Sequence, residues 1–293
     1  MSNSIALFKK YITGMLDEVY KLASLTSSLD GNPELAKQGA NANELIISKL
    51  TMQVLGNYSH NSGYVDGDVT MTNETVSCNF DRGRMFSVDN MDNLETAGMA
   101  YGRFASEFLR TKVVPEVDAF RFATYAGTSN ISTVAAAALA SGADVISALR
   151  AVANKMDEDE VPYDGRQLFI TPTLLGLVED LDTTKSKMAL ERFSKVTKVP
   201  QTRFYTAITQ YDGSTSGQEA GGYIKNAATG KDINFMAIHP TALIQYPKHI
   251  APKVITPEQN QKADAWKFGY RNVGIADVCD NKVAGVHLHK STT

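Results

Sequence analysis

Two short stretches of alternating polar and apolar residues, joined by a long polar segment, form the most distinctive pattern in the chain. Residues 49–54 and 76–80 alternate with a period of two, which predicts two strands that each bury one face. They indicate an extended β-hairpin over residues 45–89, with arms of about 15 residues that reach roughly 50 Å at about 3.3 Å per residue. Because an isolated two-stranded ribbon is marginal in water, we expect this hairpin to lie on a second copy of the protein.

The tip of this hairpin, residues 56–68, has little to bury. Its only large apolar side chains are Tyr58, Tyr64 and Val65. Asp66 precedes a glycine in a turn dipeptide, so a surface turn is favoured over the alternative of a calcium-binding loop. We therefore expect the tip to gain buried surface only through a partner.

Upstream of the hairpin, the apolar residues between Leu7 and Leu22 have helical spacing, which predicts one amphipathic helix. A polar segment rich in glycine and asparagine follows it. Nothing in this part of the chain forms a local core. Residues 1–44 are therefore expected to be an arm that packs against something else.

The strongest helix signal follows the hairpin. Asp92 and Glu95 have the spacing of a capping box, and an apolar stripe runs along the residues after them. We predict that this helix ends near Lys112, because the residue before a proline favours extended backbone. A second helix is predicted over residues 115–125, ending at Gly127.

Beyond the second helix, helical and strand patterns mix, which predicts a compact α+β core. An alanine-rich segment precedes a helix from about Ser141, then a buried strand at 166–171 and a helix from Pro172. Residues 183–230 are loop-rich, and residues 213–222 are expected to be the most flexible of them. The remaining predictions are strand segments at 234–246 and around Phe268, Val278 and Val286, with a polar, proline-bearing segment at 249–261.

Composition and charge exclude several classes of function. The chain has 293 residues, 43% hydrophobic and 21% charged, which is normal for a globular protein. Its net charge of −3 gives no electrostatic reason to expect tight nucleic-acid binding, which would need a basic stripe. No run of about 18 apolar residues and no signal peptide is present, so no membrane partner is expected.

No arrangement of residues typical of an active site is found. The glycine-rich phosphate loops and the nucleophile elbow are absent. His287 and His289 are two apart on a predicted strand and so share a face, but no third metal ligand is indicated by spacing. Cys78 and Cys279 fit no metal-binding spacing. We expect no catalytic residues, no cofactor and no metal site, and therefore no enzyme.

The order of the elements, rather than any single motif, resembles that of a known protein family. Residues 69–96, 108–127 and 264–290 resemble the major capsid (coat) protein of tailed bacteriophages, which has the Hong Kong 97-type fold. The first stretch is similar to the returning arm of that family's extended loop, the second to the segment after its spine helix, and the third to its closing strands. With the core between them, the resemblance covers most of the chain.

This resemblance implies an α+β coat fold divided into named parts. They are an N-terminal arm (1–44), an extended β-hairpin loop (45–89), a peripheral domain with the spine helix (90–127), an axial domain (128–250), return strands of the peripheral domain (251–274), and closing strands with the C-terminus (275–293). The implied function is self-assembly, through hexamers and pentamers, into an icosahedral shell around double-stranded DNA. The chain would be made in the host bacterial cytoplasm and end in the virion.

Further partners follow from departures from the family pattern. Few residues precede the hairpin, so a separate scaffolding protein is expected. A portal is expected from the resemblance itself. The near-neutral charge favours weak, non-specific contact with packaged DNA. The hairpin between Gly56 and Arg84 has no lysine, so the lysine–asparagine crosslink of some relatives is not expected.

Charged residues complete the predicted subunit interface. Arg82 and Arg84 lie two apart on one strand, so both side chains aim in one direction, as suits carboxylates of a neighbour; a solvated basic patch is the alternative. Arg103, Glu107 and Arg110 have the spacing of ion pairs along a helix. The predicted interface residues are Tyr58, Tyr64, Asp66, Arg82, Arg84, Glu95, Arg103, Glu107 and Arg110.

Three other functions stay open at this point. An encapsulin-type cellular nanocompartment shares the implied fold. A soluble α+β enzyme with an inserted hairpin would need a cleft with clustered titratable groups, which the sequence does not indicate. A phage tail or adhesin component is disfavoured by the large helical content.

Overall fold

The computed structural model describes residues 24–31, 37–38, 44–61, 63–90, 105–134 and 137–292. The strands are β1 (Lys37–Gln38), β2 (Glu44–Met52), β3 (Val69–Ser77), β4 (Phe80–Asp89), β5 (Ser132–Val134), β6 (Gln167–Ile170), β7 (Lys195–Lys198), β8 (Ile208–Gln210), β9 (Tyr223–Lys225), β10 (Ile233–Ile238), β11 (Leu243–Ile255), β12 (Ala265–Val278) and β13 (Val286–Lys290). The helices are α1 (Val114–Gly127), α2 (Gly142–Glu158), α3 (Pro172–Glu179) and α4 (Thr184–Leu190). No helix within these ranges is long and apolar enough to cross a membrane.

The predicted hairpin is present, but it is shorter than expected. β2 and β3 pair in register from Glu44 opposite Ser77 to Met52 opposite Val69, so each paired arm has nine residues rather than about 15. β1 adds a short third strand. Residues 80–89, which the alternation assigned to the hairpin, belong to a different sheet.

Asn79 directs the chain from the hairpin into that second sheet. Its Nδ2 donates to the carbonyl of Ala276 at 2.6 Å, and its Oδ1 accepts from the Ala276 N–H at 3.1 Å. The side chain thus takes the place of a backbone partner beside β12. β4 then continues the antiparallel ladder, from Phe80 opposite Gly274 to Asp89 opposite Ala265.

The second sheet has the order β11–β12–β4, with β12 in the centre. β11 runs on to Ile255, through residues that the sequence assigned to a polar, proline-bearing segment. Pro247 and Pro252 fit because β11 is an edge strand, where a missing backbone donor removes no ladder bond on the solvent side. The register also shifts between Pro247 and His249, which marks a bulge.

The prediction that the first helix ends near Lys112 is wrong. Residues 105–108 are helical, a π-helical turn spans Leu109–Val113, and α1 continues directly from it. The Val114 N–H donates to the Leu109 carbonyl, five residues back, and this wider turn lets the helix pass Pro115, which lacks an N–H. The predicted end at Gly127 is confirmed, whereas the predicted start at Asp92 lies outside the described residues.

The predicted α+β core is confirmed. A five-stranded sheet, β5–β13–β10–β6–β7, lies between two layers of helix. Leu168 and Phe235 are buried on the face that packs against α2 and α3, and Phe169 and Met236 are buried on the face that packs against α1. The helix α2 begins after Ser141, as the sequence indicated, and the structure adds a capping box between Ser141 and Asp144.

Candidate assembly interface

One face of the outer half of the hairpin is both apolar and exposed. Leu50 lies opposite Met71 in the ladder, and Met52 lies opposite Val69. Cross-strand partners project from the same face of a sheet, so the four side chains form one surface. Each of them is between 57% and 67% exposed. We call these four residues the hairpin face.

Period-two alternation alone did not reveal this surface. It correctly indicated that Val76 and Phe80 are buried near the base of the hairpin. It also implied one buried face along the whole length, which is wrong for the outer half within a single chain. Nearer the tip, Val54, Leu55 and Val65 are also apolar and exposed.

The tip carries a small aromatic cluster. A bridge between Ser59 and Gly63 closes the turn, with N–H···O distances of 3.2 and 2.8 Å. The rings of Tyr58 and Tyr64 meet edge to face with centroids 4.9 Å apart. His60 contacts Tyr58 at 5.7 Å. Although they contact each other, Tyr64 is still 88% exposed, so the cluster presents aromatic surface outward.

Asp66 is exposed beside this cluster. Further along the tip, the backbone N–H of Asp68 donates to Gln53 Oε1 at 3.3 Å, and the N–H of Gln53 donates to the Asp68 carbonyl at 3.2 Å. The two arms are thus held together just beyond the last ladder pair. The interface role predicted for Tyr58, Tyr64 and Asp66 remains a prediction, and the structure places all three at the exposed tip.

A buried carboxylate holds the segment that precedes the hairpin. Asp118 on α1 has no exposed surface. Its Oδ1 accepts hydrogen bonds from the hydroxyls of Ser24 at 2.9 Å and Thr26 at 2.7 Å. Its Oδ2 accepts from a backbone N–H of the segment at 3.1 Å and from Arg203 at 3.3 Å. Residues 24–31 are therefore fixed against α1.

Two further side chains, Gln245 and Arg121, also bind the segment that Asp118 holds. Gln245 Nε2 donates to the Thr26 carbonyl at 2.8 Å and to Asp30 Oδ1 at 2.6 Å. Arg121 donates to the Thr26 hydroxyl at 2.8 Å and pairs with Asp30 at 3.4 Å. The partners are about 90 or more residues apart in sequence, so no local pattern indicated this network.

The two arginines predicted to meet a neighbouring subunit have partners in their own chain. Arg82 Nε pairs with Glu116 Oε1 at 2.8 Å. Arg84 donates to the carbonyls of Ala220 at 3.0 Å and Glu219 at 2.8 Å. Burial raises the pKa of Glu116, and the charge of Arg82 opposes that rise. A contact between either arginine and a neighbour's carboxylate remains a prediction.

A groove of about 700 Å³ lies between β4, the π-helical turn and the loop at residues 211–222. Phe86, Phe108 and Tyr270 contribute apolar lining, and Arg82 and Glu107 contribute charge. No local sequence pattern indicates this groove, because the three elements that form it are far apart along the chain. The lining therefore combines apolar and charged side chains.

The structure describes only some of the charged residues that were predicted to lie along the helix after the hairpin. Glu107 and Arg110 form the expected ion pair, at 2.7 Å, and both are exposed. Glu95 and Arg103 lie outside the described residues. An exposed pair of this kind contributes about 0–1 kcal/mol, so its value here lies in orienting charge rather than in stability.

The two C-terminal histidines share a strand, as predicted, and both are buried in the five-stranded sheet. His289 Nδ1 lies 3.0 Å from Asn234 Nδ2, and its ring stacks on Phe235 with centroids 4.9 Å apart. Burial lowers the pKa of His287 to about 4. Over the parts of the chain that the structure describes, no group of three or more His, Cys, Asp or Glu is placed to hold a metal ion.

Sequence comparison identifies no relative of this chain. No protein-family model matches it, and no curated protein is detectably similar to it in sequence.

Solved structures, in contrast, match the chain over nearly its whole length. A virus-like particle from Pyrococcus furiosus has a TM-score of 0.61 at 9% identity, covering 96% of this chain and 99% of that chain. The capsid structure of cyanophage P-SCSP1u has a TM-score of 0.59 at 12% identity, covering 92% and 89%. A chain of Mycobacterium phage Che8 has a TM-score of 0.59 at 14% identity, covering 91% and 90%. The likeness confirms the capsid-type α+β fold implied by the sequence resemblance.

Proposed function

We infer that this chain is a structural protein whose copies assemble into the icosahedral capsid shell of a tailed bacteriophage, around double-stranded DNA. The observation that carries the proposal is the likeness of fold, over nearly the whole of both chains, to a cyanophage capsid structure. In this assignment, residues 45–77 act as the extended loop, and the sheet β11–β12–β4 with the long helix forms the peripheral domain. The five-stranded sheet and its helices form the axial domain.

The exposed hairpin face supports assembly over a monomeric role. A folded monomer in water rarely leaves a contiguous apolar surface at the end of an extended element, because such a surface promotes association. In a closed ring of identical subunits, each hairpin face is covered by the next copy, and symmetry repeats the contact. Hexamers and pentamers satisfy this requirement for every subunit.

The proposed partners other than the chain itself are a scaffolding protein, a portal and the packaged DNA. A hairpin face exposed before assembly needs protection from non-specific association, which a scaffolding protein supplies. A portal is proposed because packaged DNA must enter a closed shell. The net charge of −3 supports weak and non-specific contact with that DNA. The site of action is the virion, after synthesis in the host bacterial cytoplasm, and the role is structural rather than enzymatic.

A second candidate function is the shell of a cellular compartment. It is favoured by one observation, the TM-score of 0.61 to the virus-like particle from Pyrococcus furiosus. The two candidates differ in what the shell encloses. Particles isolated from their natural source would contain double-stranded DNA in the first case and a protein cargo in the second. Terminase and portal genes beside the coding sequence would favour the first.

The direct test of either shell function is the assembly state of the purified full-length chain. We expect size-exclusion chromatography to resolve a species far larger than the 31.9 kDa subunit, and negative-stain electron microscopy of that peak to show closed, symmetric particles. Because a scaffolding protein is proposed, the chain is also examined at high concentration and with crowding agents. A stable monomer under every one of these conditions would contradict a shell function.

A further inference from the structure

The loop between β8 and β9, residues 211–222, has a defined shape of its own. Asp212 Oδ1 accepts from the backbone N–H groups of Ser214 and Thr215, both at 2.9 Å. The N–H of Gly217 donates to the Glu219 carboxylate at 2.9 Å. These bonds turn the loop back on itself, although its composition predicted the most flexible part of residues 183–230.

The last turn of this loop presents its carbonyl groups to β4. Arg84 donates from its two terminal nitrogens to the carbonyls of Ala220 and Glu219, at 3.0 and 2.8 Å. Arg82 reaches the carbonyl of Gly222 at 3.4 Å while its Nε holds Glu116. The planar guanidinium carries donors in a fixed fork, so it can bridge two successive carbonyls where an ammonium group cannot.

We propose that Arg82 and Arg84 form a clasp that couples the β8–β9 loop to β4, the strand that leads out of the hairpin. Only Cys78 and Asn79 separate β4 from the hairpin strand β3. The clasp therefore links the loop to the base of the hairpin. Through Glu116, it includes α1 as well. Displacing the loop loosens β4, and displacing β4 releases the loop.

Two glycines in the loop provide a matched pair of probes. A Cβ at Gly221 would lie 2.9 Å from Arg84 Nη1, whereas a Cβ at Gly217 would have nothing within 4 Å. Both residues have positive φ, +66° and +83°, so alanine introduces comparable backbone strain at either position. Gly221→Ala therefore pushes the Arg84 guanidinium away, and Gly217→Ala strains the loop without touching the clasp.

The experiment is hydrogen–deuterium exchange with mass spectrometry on the full-length, unassembled protein. Arg84→Ala is expected to raise amide exchange in residues 213–221 by roughly three- to tenfold, as the loss of two exposed hydrogen bonds implies. Gly221→Ala, a change in the loop, is expected to raise exchange in residues 80–86 of β4. Reciprocal effects are the signature of coupling between two sites. Gly217→Ala is expected to leave exchange in β4 at the wild-type rate.

The proposal is overturned if Gly221→Ala leaves exchange in β4 unchanged, or if Gly217→Ala changes it equally. Should Arg84→Ala fail to fold by circular dichroism, Arg84→Lys replaces it, because lysine keeps the charge but cannot bridge both carbonyls. Wild-type exchange in the loop of Arg84→Lys would also overturn the clasp. All these measurements use unassembled protein, so their outcome does not depend on whether the proposed shell function is correct.

Discussion

At the scale of single residues, Asp118 shows how one buried carboxylate can position a whole segment. Its two oxygens accept bonds from the hydroxyls of Ser24 and Thr26, from the backbone of the same segment, and from Arg203. Removing the carboxylate would leave these donors buried without an acceptor, and it would leave Arg203 without its counter-charge. Losing one partner of such a network is among the more destabilising single changes in a protein.

We expect Asp118→Ala to lower the free energy of unfolding by about 3–5 kcal/mol. Urea denaturation of the unassembled chain measures this change, and hydrogen exchange should show lost protection in residues 24–31. The control is Glu179→Ala, because Glu179 is exposed and pairs with Lys198 at 3.6 Å. An exposed pair is worth about 0–1 kcal/mol. Equal effects of the two substitutions would show that Asp118 is not an anchor.

At the scale of elements, the hairpin combines a buried base with an exposed outer half. Asn79 ties the end of β3 to Ala276 of β12, so the base is fixed to the body of the molecule. The hairpin face is apolar, and the pair on the opposite face at almost the same distance from the tip is Thr51 and Thr70. One element therefore offers two faces of opposite character, and only the apolar one gains free energy by being covered.

We expect the double substitution Leu50→Glu and Met71→Glu to lower the assembled fraction at least tenfold, because it would bury two charges in the subunit contact. The matched control is Thr51→Glu with Thr70→Glu, which places the same charges on the polar face of the neighbouring ladder pair. Size-exclusion chromatography compares the two at equal concentration. Both variants alter exposed positions, so their unfolding free energies should lie within about 0.5 kcal/mol of wild type for each substitution. Equal loss of assembly in both variants would exclude a specific role for the hairpin face.

At the scale of the whole molecule, the described part of the chain contains an α+β core, a second sheet beside the helix at residues 105–127, and a hairpin that continues from that sheet. The formal net charge is −3 over 293 residues, so neighbouring copies repel one another weakly. Among the residues that the structure describes, the hairpin face and the aromatic tip both leave large hydrophobic side chains exposed. Association driven by such surfaces depends on hydration rather than on Coulomb attraction.

Assembly is therefore expected to tolerate high ionic strength. Raising sodium chloride from about 0.1 M to about 1 M shortens the Debye length from about 10 Å to about 3 Å, and it should change the assembled fraction by less than a factor of two. Ammonium sulfate should raise that fraction, because sulfate strengthens the burial of apolar surface. Light scattering during a salt titration measures both effects. Dissociation of particles in 1 M sodium chloride would instead indicate contacts dominated by ion pairs.

The sequence by itself determined the elements whose signal is local. The α2 helix follows from its apolar spacing, the buried strand β6 from a short apolar run, and the hairpin from alternation of period two. Neighbouring residues decide such features, since hydrogen bonding and side-chain direction repeat along the backbone. The order of these elements also predicted the capsid-type fold, through its resemblance to that family.

The tertiary structure alone decided which elements meet. Asn79 and Ala276 are 197 residues apart, and their hydrogen bonds decide that β4 leaves the hairpin for β12. Asp118 accepts a hydrogen bond from a segment 92 residues away, and Arg84 donates one to a loop 135 residues away. A π-helical turn let the helix pass Pro115, although local rules favoured a break there. Burial and pairing depend on residues that only the folded chain brings together, so the sequence predicted the hairpin while the structure revealed its exposed apolar face.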